Sequence, residues 1–133
     1  MSGRAPGQNG RMSHYSPGEA AERTGFSLDT LRYYERIGLL EEVARTAGGQ
    51  RQFSDDDVAW LSTLRCLRDT GMPIARMQRY AELCRDDSTI AERVALLEEH
   101  DREAAERIAQ LETQRAQIRE KISWYRTVAD AAN

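Results

Sequence analysis

From Ile90 onward the chain places side chains on one row at alternating steps of four and three: Ile90, Val94, Leu97, Asp101, Ala104, Ile108, Leu111, Arg115, Ile118, Ile122 and Tyr125. Nine of these eleven positions are apolar or aromatic, with Asp101 and Arg115 the polar interruptions, and that is the heptad signature of a coiled coil. A lone helix leaves such a stripe in water. At about 1.5 Å per residue the helix would outreach the short segment before it, so folding back on that segment would leave much of the row uncovered, which favours pairing with another chain. Segment 88–128 is therefore predicted to be a coiled-coil dimerisation helix, with Val94, Leu97, Asp101, Ala104, Ile108, Leu111, Arg115, Ile118 and Ile122 in the seam.

The preceding residues read as short helices with explicit starts and stops. Ser16-Pro17-Gly18-Glu19 has the form of a capping box with proline at the first helical position, and Thr24-Gly25 offers a stop. Ser27 is the next N-cap, and Leu28, Leu31 and Tyr34 or Ile37 then recur at helical spacing up to Gly38. Two short helices joined through a glycine make a helix-turn-helix. Between Glu41 and Phe53 the pattern changes: Gly48-Gly49 favours a hairpin tip between segments carrying Arg45 and Arg51, which is wing-like. Ser54 followed by Asp55, Asp56 and Asp57 starts a third helix, with Val58, Leu61, Leu64 and Leu67 as its apolar stripe. Pro73 opens a fourth, whose Ile74, Met77, Ala81 and Cys84 line one face before Asp86-Asp87-Ser88 interrupts. The expected fold is mainly α: a winged helix-turn-helix over 13–85, then the long helix. Met1–Met12 carry Arg4 and Arg11 but no apolar run, so they read as a disordered tail rather than a secretory signal.

Size and charge narrow the function classes. At 133 residues the chain has room for one compact domain and an appendage, which excludes a large multi-domain enzyme. No apolar run approaches the roughly 20 residues of a membrane helix. The net charge of −3 hides an asymmetry: residues 1–85 hold 12 arginines against 11 carboxylates, and residues 86–133 hold 7 basic against 11 acidic side chains. The acidity belongs mainly to the C-terminal third, leaving the first part able to present a basic surface. Two cysteines, Cys66 and Cys84, are too few for a disulfide framework, so both are expected as free thiols in the cytoplasm. No paired carboxylates, metal-ligand cluster or nucleophile–base arrangement stands out, so neither an enzyme nor a metal or cofactor site is expected.

Ser27, Thr30 and Tyr33 offer short polar and aromatic groups near the start of the second helix, while Arg32 and Arg36 are donors suited to phosphates or base edges. Adjacent helical residues point about 100° apart, so only one of Tyr33 and Tyr34 can face the core. The run Thr30-Leu31-Arg32-Tyr33-Tyr34-Glu35-Arg36-Ile37-Gly38-Leu39-Leu40 closely resembles the helix-turn-helix signature of the MerR family. Tyr15 to Ala21 upstream, Arg51-Gln52-Phe53-Ser54 with Asp57-Val58, and Leu67 to Met72 downstream extend the resemblance over about 13–85. It implies a homodimeric transcription regulator that binds promoter DNA, with Arg32 and Tyr33, and also Tyr34, toward the DNA and Arg51 of the wing on its backbone. It further implies antiparallel pairing of the long helix and a bent, untwisted promoter that RNA polymerase can then read. The wing departs from the family pattern: Gln50 replaces a large residue before the arginine, and Gly48-Gly49 replaces Asn-Gly. Asp101 and Arg115 lie equally far from Ile108, so antiparallel pairing would bring them together across the dimer.

Metal-sensing relatives carry cysteine or histidine ligands toward the far end of the dimer helix, whereas here no thiol follows Cys84 and His100 is the sole imidazole there. The stretch Leu64-Arg65-Cys66-Leu67-Arg68-Asp69 is instead similar to the branch responding to aldehydes and nitrosative stress, which makes Cys66 the candidate thiol sensor. Helical geometry places Cys66 nearly opposite the stripe of its helix. Arg65 and Arg68 are not at i±3 or i±4 from it, so thiolate activation does not follow from spacing. Cys84, on an apolar stripe, reads as core. The alternative function is a protein-interaction adaptor that uses the winged helix as a scaffold and the coiled coil as its docking element.

Overall fold

Three serines set the helix starts. In a computed structural model that describes residues 13–132, Ser16 caps the first helix, α1 (Pro17–Thr24): its hydroxyl accepts from the Glu19 amide at 3.2 Å while the Glu19 carboxylate accepts from the Ser16 amide at 2.9 Å. Ser27 caps α2 (Leu28–Arg36), accepting from the Thr30 amide at 3.1 Å. Ser54 and Asp57 repeat the reciprocal box at the head of α3 (Asp55–Asp69). Each cap satisfies backbone donors that a helix start otherwise leaves bare. Helix α4 (Ile74–Cys84) begins after Pro73, and α5 runs Ile90–Ala132. Residues 1–12, read above as a tail, lie outside the described residues.

Two short strands complete the first part. His14–Tyr15 (β1) pairs antiparallel with Phe53–Ser54 (β2), in the register His14 to Ser54 and Tyr15 to Phe53. The Tyr15 hydroxyl and the Ser13 amide both donate to the Asp55 carboxylate, at 2.8 and 3.1 Å, so the chain ahead of α1 is fastened to the head of α3. These two hydrogen bonds hold Asp55 below its ordinary pKa. The sequence pattern did not anticipate β1, because two residues are too few for a visible alternation. The wing carries a single antiparallel bridge, Arg45 to Arg51, closed by a turn with Gly49 at φ +85°.

The core lies where α1, α2, α3 and α4 meet. Leu39, Leu61, Leu64 and Met77 are wholly buried, with Phe26, Leu31, Tyr34, Trp60 and Tyr80 around them. Trp60 stacks on Tyr80 with centroids 5.7 Å apart, and Phe26 meets Tyr34 edge-on at 5.1 Å, both favourable aromatic geometries. Leu28, placed by spacing on the apolar row of α2, is 40% exposed instead. The row continues in sequence, but at the first turn of α2 the core no longer covers it. Cys84 is buried, as its stripe predicts.

The described residues divide into two compact units, the first ending at Leu96 and the second beginning at Leu97, both within the span of α5. At the α4–α5 corner of the first unit, Arg93 is buried and donates to the Asp86 carbonyl at 2.7 Å and the Thr89 hydroxyl at 3.1 Å. In the second unit Ile108, Leu111, Ile118, Ile122 and Tyr125 are all exposed. No helix among the described residues is long and apolar enough to cross a membrane.

Gly25 ends α1 in the left-handed conformation, φ +77°, and an added Cβ there would lie 2.2 Å from Nη1 of Arg65. That guanidinium is bonded to the Thr24 carbonyl at 3.3 Å and to Asp69 at 2.7 Å, so moving it aside disturbs both contacts. Gly25→Ala should lower the unfolding free energy by about 1–2 kcal/mol, the cost of a left-handed non-glycine residue. Urea denaturation followed by circular dichroism checks this, and an unchanged midpoint would refute it.

Candidate nucleic-acid interface

Helix α2 turns two unlike faces outward and inward. Leu31 and Tyr34, three residues apart, are buried, whereas Ser27, Arg32, Tyr33 and Arg36 stand on the exposed side. Of the adjacent tyrosines, Tyr33 is 39% exposed and Tyr34 only 2%. Tyr34 is thereby corrected from the expected DNA-facing set: its ring belongs to the core beside Phe26, and burial is the leading cause that pushes its phenol pKa up. A side chain closed off by its own domain cannot reach a groove.

On the exposed face, the Arg36 guanidinium sits over the Tyr33 ring at 5.3 Å, which keeps a cation and an aromatic plane together at the surface. Arg32 contacts Asp29 at 3.3 Å, but the two side chains are 57% and 94% exposed, so this ion pair is weak and readily exchanged for another acceptor. Ser27 and Thr30 are bonded to each other, hydroxyl to hydroxyl at 2.9 Å, as part of the helix cap.

The wing is a tight loop. The Thr46 amide donates to the Gln50 carbonyl at 2.8 Å, the Gly49 amide to the Thr46 carbonyl at 2.9 Å, and the Gln52 amide to the Ala44 carbonyl at 2.8 Å. Arg45 donates across its tip to the Gly49 carbonyl at 2.9 Å. Arg51 is not simply a surface cation: its Nε donates to the Glu35 carboxylate of α2 at 2.6 Å, and the two side chains are 27% and 14% exposed. The second oxygen of Glu35 accepts from the Val43 amide at 3.0 Å, at the root of the wing. Burial pushes the Glu35 carboxyl up, but the Val43 amide and the Arg51 and Arg45 guanidinium groups outweigh it and hold its pKa below the ordinary value.

Sequence reasoning missed Glu35. The signal available was a carboxylate in the last turn of the helix, between Tyr34 and Arg36, where a solvated acid would oppose binding of an anion.

Cys66 is exposed on α3, while Cys84 is buried in α4. The arginines flanking Cys66 in sequence are committed elsewhere. Both guanidinium groups lie over the Phe26 ring, Arg65 at 5.6 Å and Arg68 at 4.9 Å, and both contact Asp69, holding its pKa low. Among the described residues no group of three or more His, Cys, Asp or Glu side chains is placed to hold a metal ion.

A family model described as "MerR HTH family regulatory protein" matches residues 15–84, which take in α1, α2, the wing, α3 and α4. The chain belongs to the MerR family. A relative in Haemophilus influenzae, an uncharacterized HTH-type transcriptional regulator, is 46% identical over 85 residues, 63% of each chain. AdhR of Bacillus subtilis, an HTH-type transcriptional regulator, is 33% identical over 82 residues, 61% of this chain and 59% of its own. These matches thus span about three fifths of the length of the curated relatives. Among solved structures, HiNmlR, a MerR family regulator lacking the sensor domain and bound to promoter DNA, is similar with a TM-score of 0.78 at 38% identity. The overlap covers 86% of this chain and 92% of that one. A MerR family regulator from Bacillus thuringiensis has a TM-score of 0.74 at 28% identity, over 84% of this chain and 98% of its own. The relatives are regulators, and they fit the AdhR- and NmlR-like branch.

Proposed function

We propose that the chain is a cytoplasmic, sequence-specific DNA-binding transcriptional regulator that acts as a homodimer and distorts promoter DNA so that RNA polymerase can engage it. The observation that carries this reading is the exposed Arg32, Tyr33 and Arg36 face of α2 beside an arginine-bearing wing. A helix of this size fits the major groove, and guanidinium groups supply both phosphate and base-edge donors. The similar regulator HiNmlR, bound to promoter DNA, supports the same assignment. Electrophoretic mobility shift with a duplex from the gene's own promoter should show retention that weakens steeply with salt. Arg32→Ala should reduce it by about ten-fold, the value of one lost specific contact. Binding insensitive to both salt and Arg32→Ala would favour the adaptor instead.

Dimerisation is supported by the seam of α5. Ile90, Val94, Ile108, Leu111, Ile118, Ile122 and Tyr125 are between 44% and 62% exposed in the single chain, a larger apolar row than a lone helix keeps in water. Leu97 and Ala104 are half-buried. Two copies running antiparallel about Ile108 would bring Asp101 opposite Arg115, each seven residues from that centre. That pairing spaces two α2 helices for a palindromic site, and bending such a site costs about 1–6 kcal/mol, an energy that a change in dimer geometry can control. Ile108→Glu, which buries two like charges at the centre of the pair, should shift the protein to monomer in sedimentation velocity. A dimer of unchanged strength would overturn the seam.

Cys66 is the proposed electrophile target, supported by its exposure and by the burial of Cys84. Its sulfur would add to the carbonyl carbon of an aldehyde, the thiol proton passing through solvent to the carbonyl oxygen. In transcription from the same promoter, Cys66→Ala should abolish the response to formaldehyde or methylglyoxal while leaving promoter binding intact. A full response in that variant would eliminate Cys66 as the switch.

A further inference from the structure

Glu35 is the one carboxylate of α2 turned toward the wing, and its position is costly for an anion-binding surface. A negative charge beside phosphates opposes binding, yet this one is largely buried and doubly engaged. One oxygen takes the Val43 amide at the start of the wing and the other takes Nε of Arg51 near its end, at 3.0 and 2.6 Å. Those attachments are eight residues apart and bracket the loop. Arg45 and Arg51 face each other across the wing's antiparallel bridge, so their side chains leave the same face of the ribbon. Arg45 is fixed by the Gly49 carbonyl and Arg51 by Glu35. A guanidinium is a rigid planar fork of five N–H donors, and anchoring Nε sets the plane in which the four Nη hydrogens lie.

We propose that Glu35 is a positioning residue for DNA binding: it locks the wing to the recognition helix and aims the Nη edge of Arg51 at a backbone phosphate. The inference rests on the DNA-binding reading above. It makes Glu35 favourable for binding despite its charge, because an arginine ordered beforehand loses less freedom when it meets the phosphate. Anchored in this way, α2 and the wing reach the duplex as one body, so the helix's register in the groove sets where the wing falls on the strand.

Charge alone and positioning predict opposite signs for Glu35→Gln. Removing a negative charge from the interface should tighten binding. Losing the Arg51 anchor should weaken it. In mobility shift titrations on the promoter duplex across a range of salt, Glu35→Gln is expected to bind about five-fold more weakly, and the slope of log K against log salt should fall by about one phosphate contact. Arg51→Gln should show the same loss of slope, and the double variant no further loss. Glu42→Gln, an exposed carboxylate at the root of the wing, reports the bare effect of charge and should bind as wild type or slightly tighter. Thermal melts confirm that each variant is folded at the assay temperature. Affinity for Glu35→Gln equal to or above wild type overturns the proposal. So does weaker binding with an unchanged slope, since a structural role lowers the active fraction without removing a phosphate contact. If the wild-type chain itself shows no salt-dependent retention, the DNA-binding reading has failed and this inference falls with it; weak Glu35→Gln beside strong wild type has no such ambiguity.

Discussion

Three successive backbone carbonyls at the exit of α2, those of Ile37, Gly38 and Leu39, are each taken by a side chain from α3, α4 or the C-cap of α4. Gln78 of α4 donates to Ile37 at 3.2 Å, Arg85 just beyond α4 donates to Gly38, and the Trp60 indole of α3 donates to Leu39 at 2.7 Å. The amides of this turn satisfy the last carbonyls of α2, while the turn's own carbonyls have no partner in the helix and take theirs from elsewhere. Leu39 is buried, so its carbonyl is closed to water, whereas the Arg85–Gly38 bond lies at the surface. The exposed face of α2 is held at its orientation because its far end is bonded to α3 and α4 at consecutive residues. Apolar contact alone, being non-directional, would not fix it as closely.

Arginine is used in two distinct ways on the same unit. Arg65 and Arg68 lie over the Phe26 ring, with Asp69 as their shared counter-ion, and Arg93 fills the corner between α4 and α5. Arg32 and Arg36 remain at the surface of α2, and Arg51 stands between the two classes, half-buried and anchored. This division explains how a chain with a net charge of −3 presents a basic face. It also bears on Cys66, whose sequence neighbours are cationic but whose guanidinium groups are spent on the joint between α1 and α3.

Helix α5 states the same economy in apolar terms. Its exposed apolar seam residues stay in water in the single chain, at a cost in hydrophobic free energy until they are covered. A second copy of the same row is the cover proposed for it, with Asp101 and Arg115 each seven residues from Ile108.

Much of this was legible along the chain because it is local. The caps at Ser16, Ser27 and Ser54 act over three residues, the glycine stop at Gly25 over one turn, and the α5 heptads through a fixed period, so short-range geometry declares each of them. That adjacent tyrosines must part company was also determined by helical angle. Which of them lies inside was not: only the packing of Phe26 against Tyr34 decided that. The exposure of Leu28, the β1–β2 pairing, the carbonyl bonds from Gln78, Arg85 and Trp60, and the anchoring of Arg51 by Glu35 were likewise decided by the tertiary structure. Most of these join residues sixteen or more positions apart, where no periodicity connects the partners and burial alone determines which polar groups must find one another.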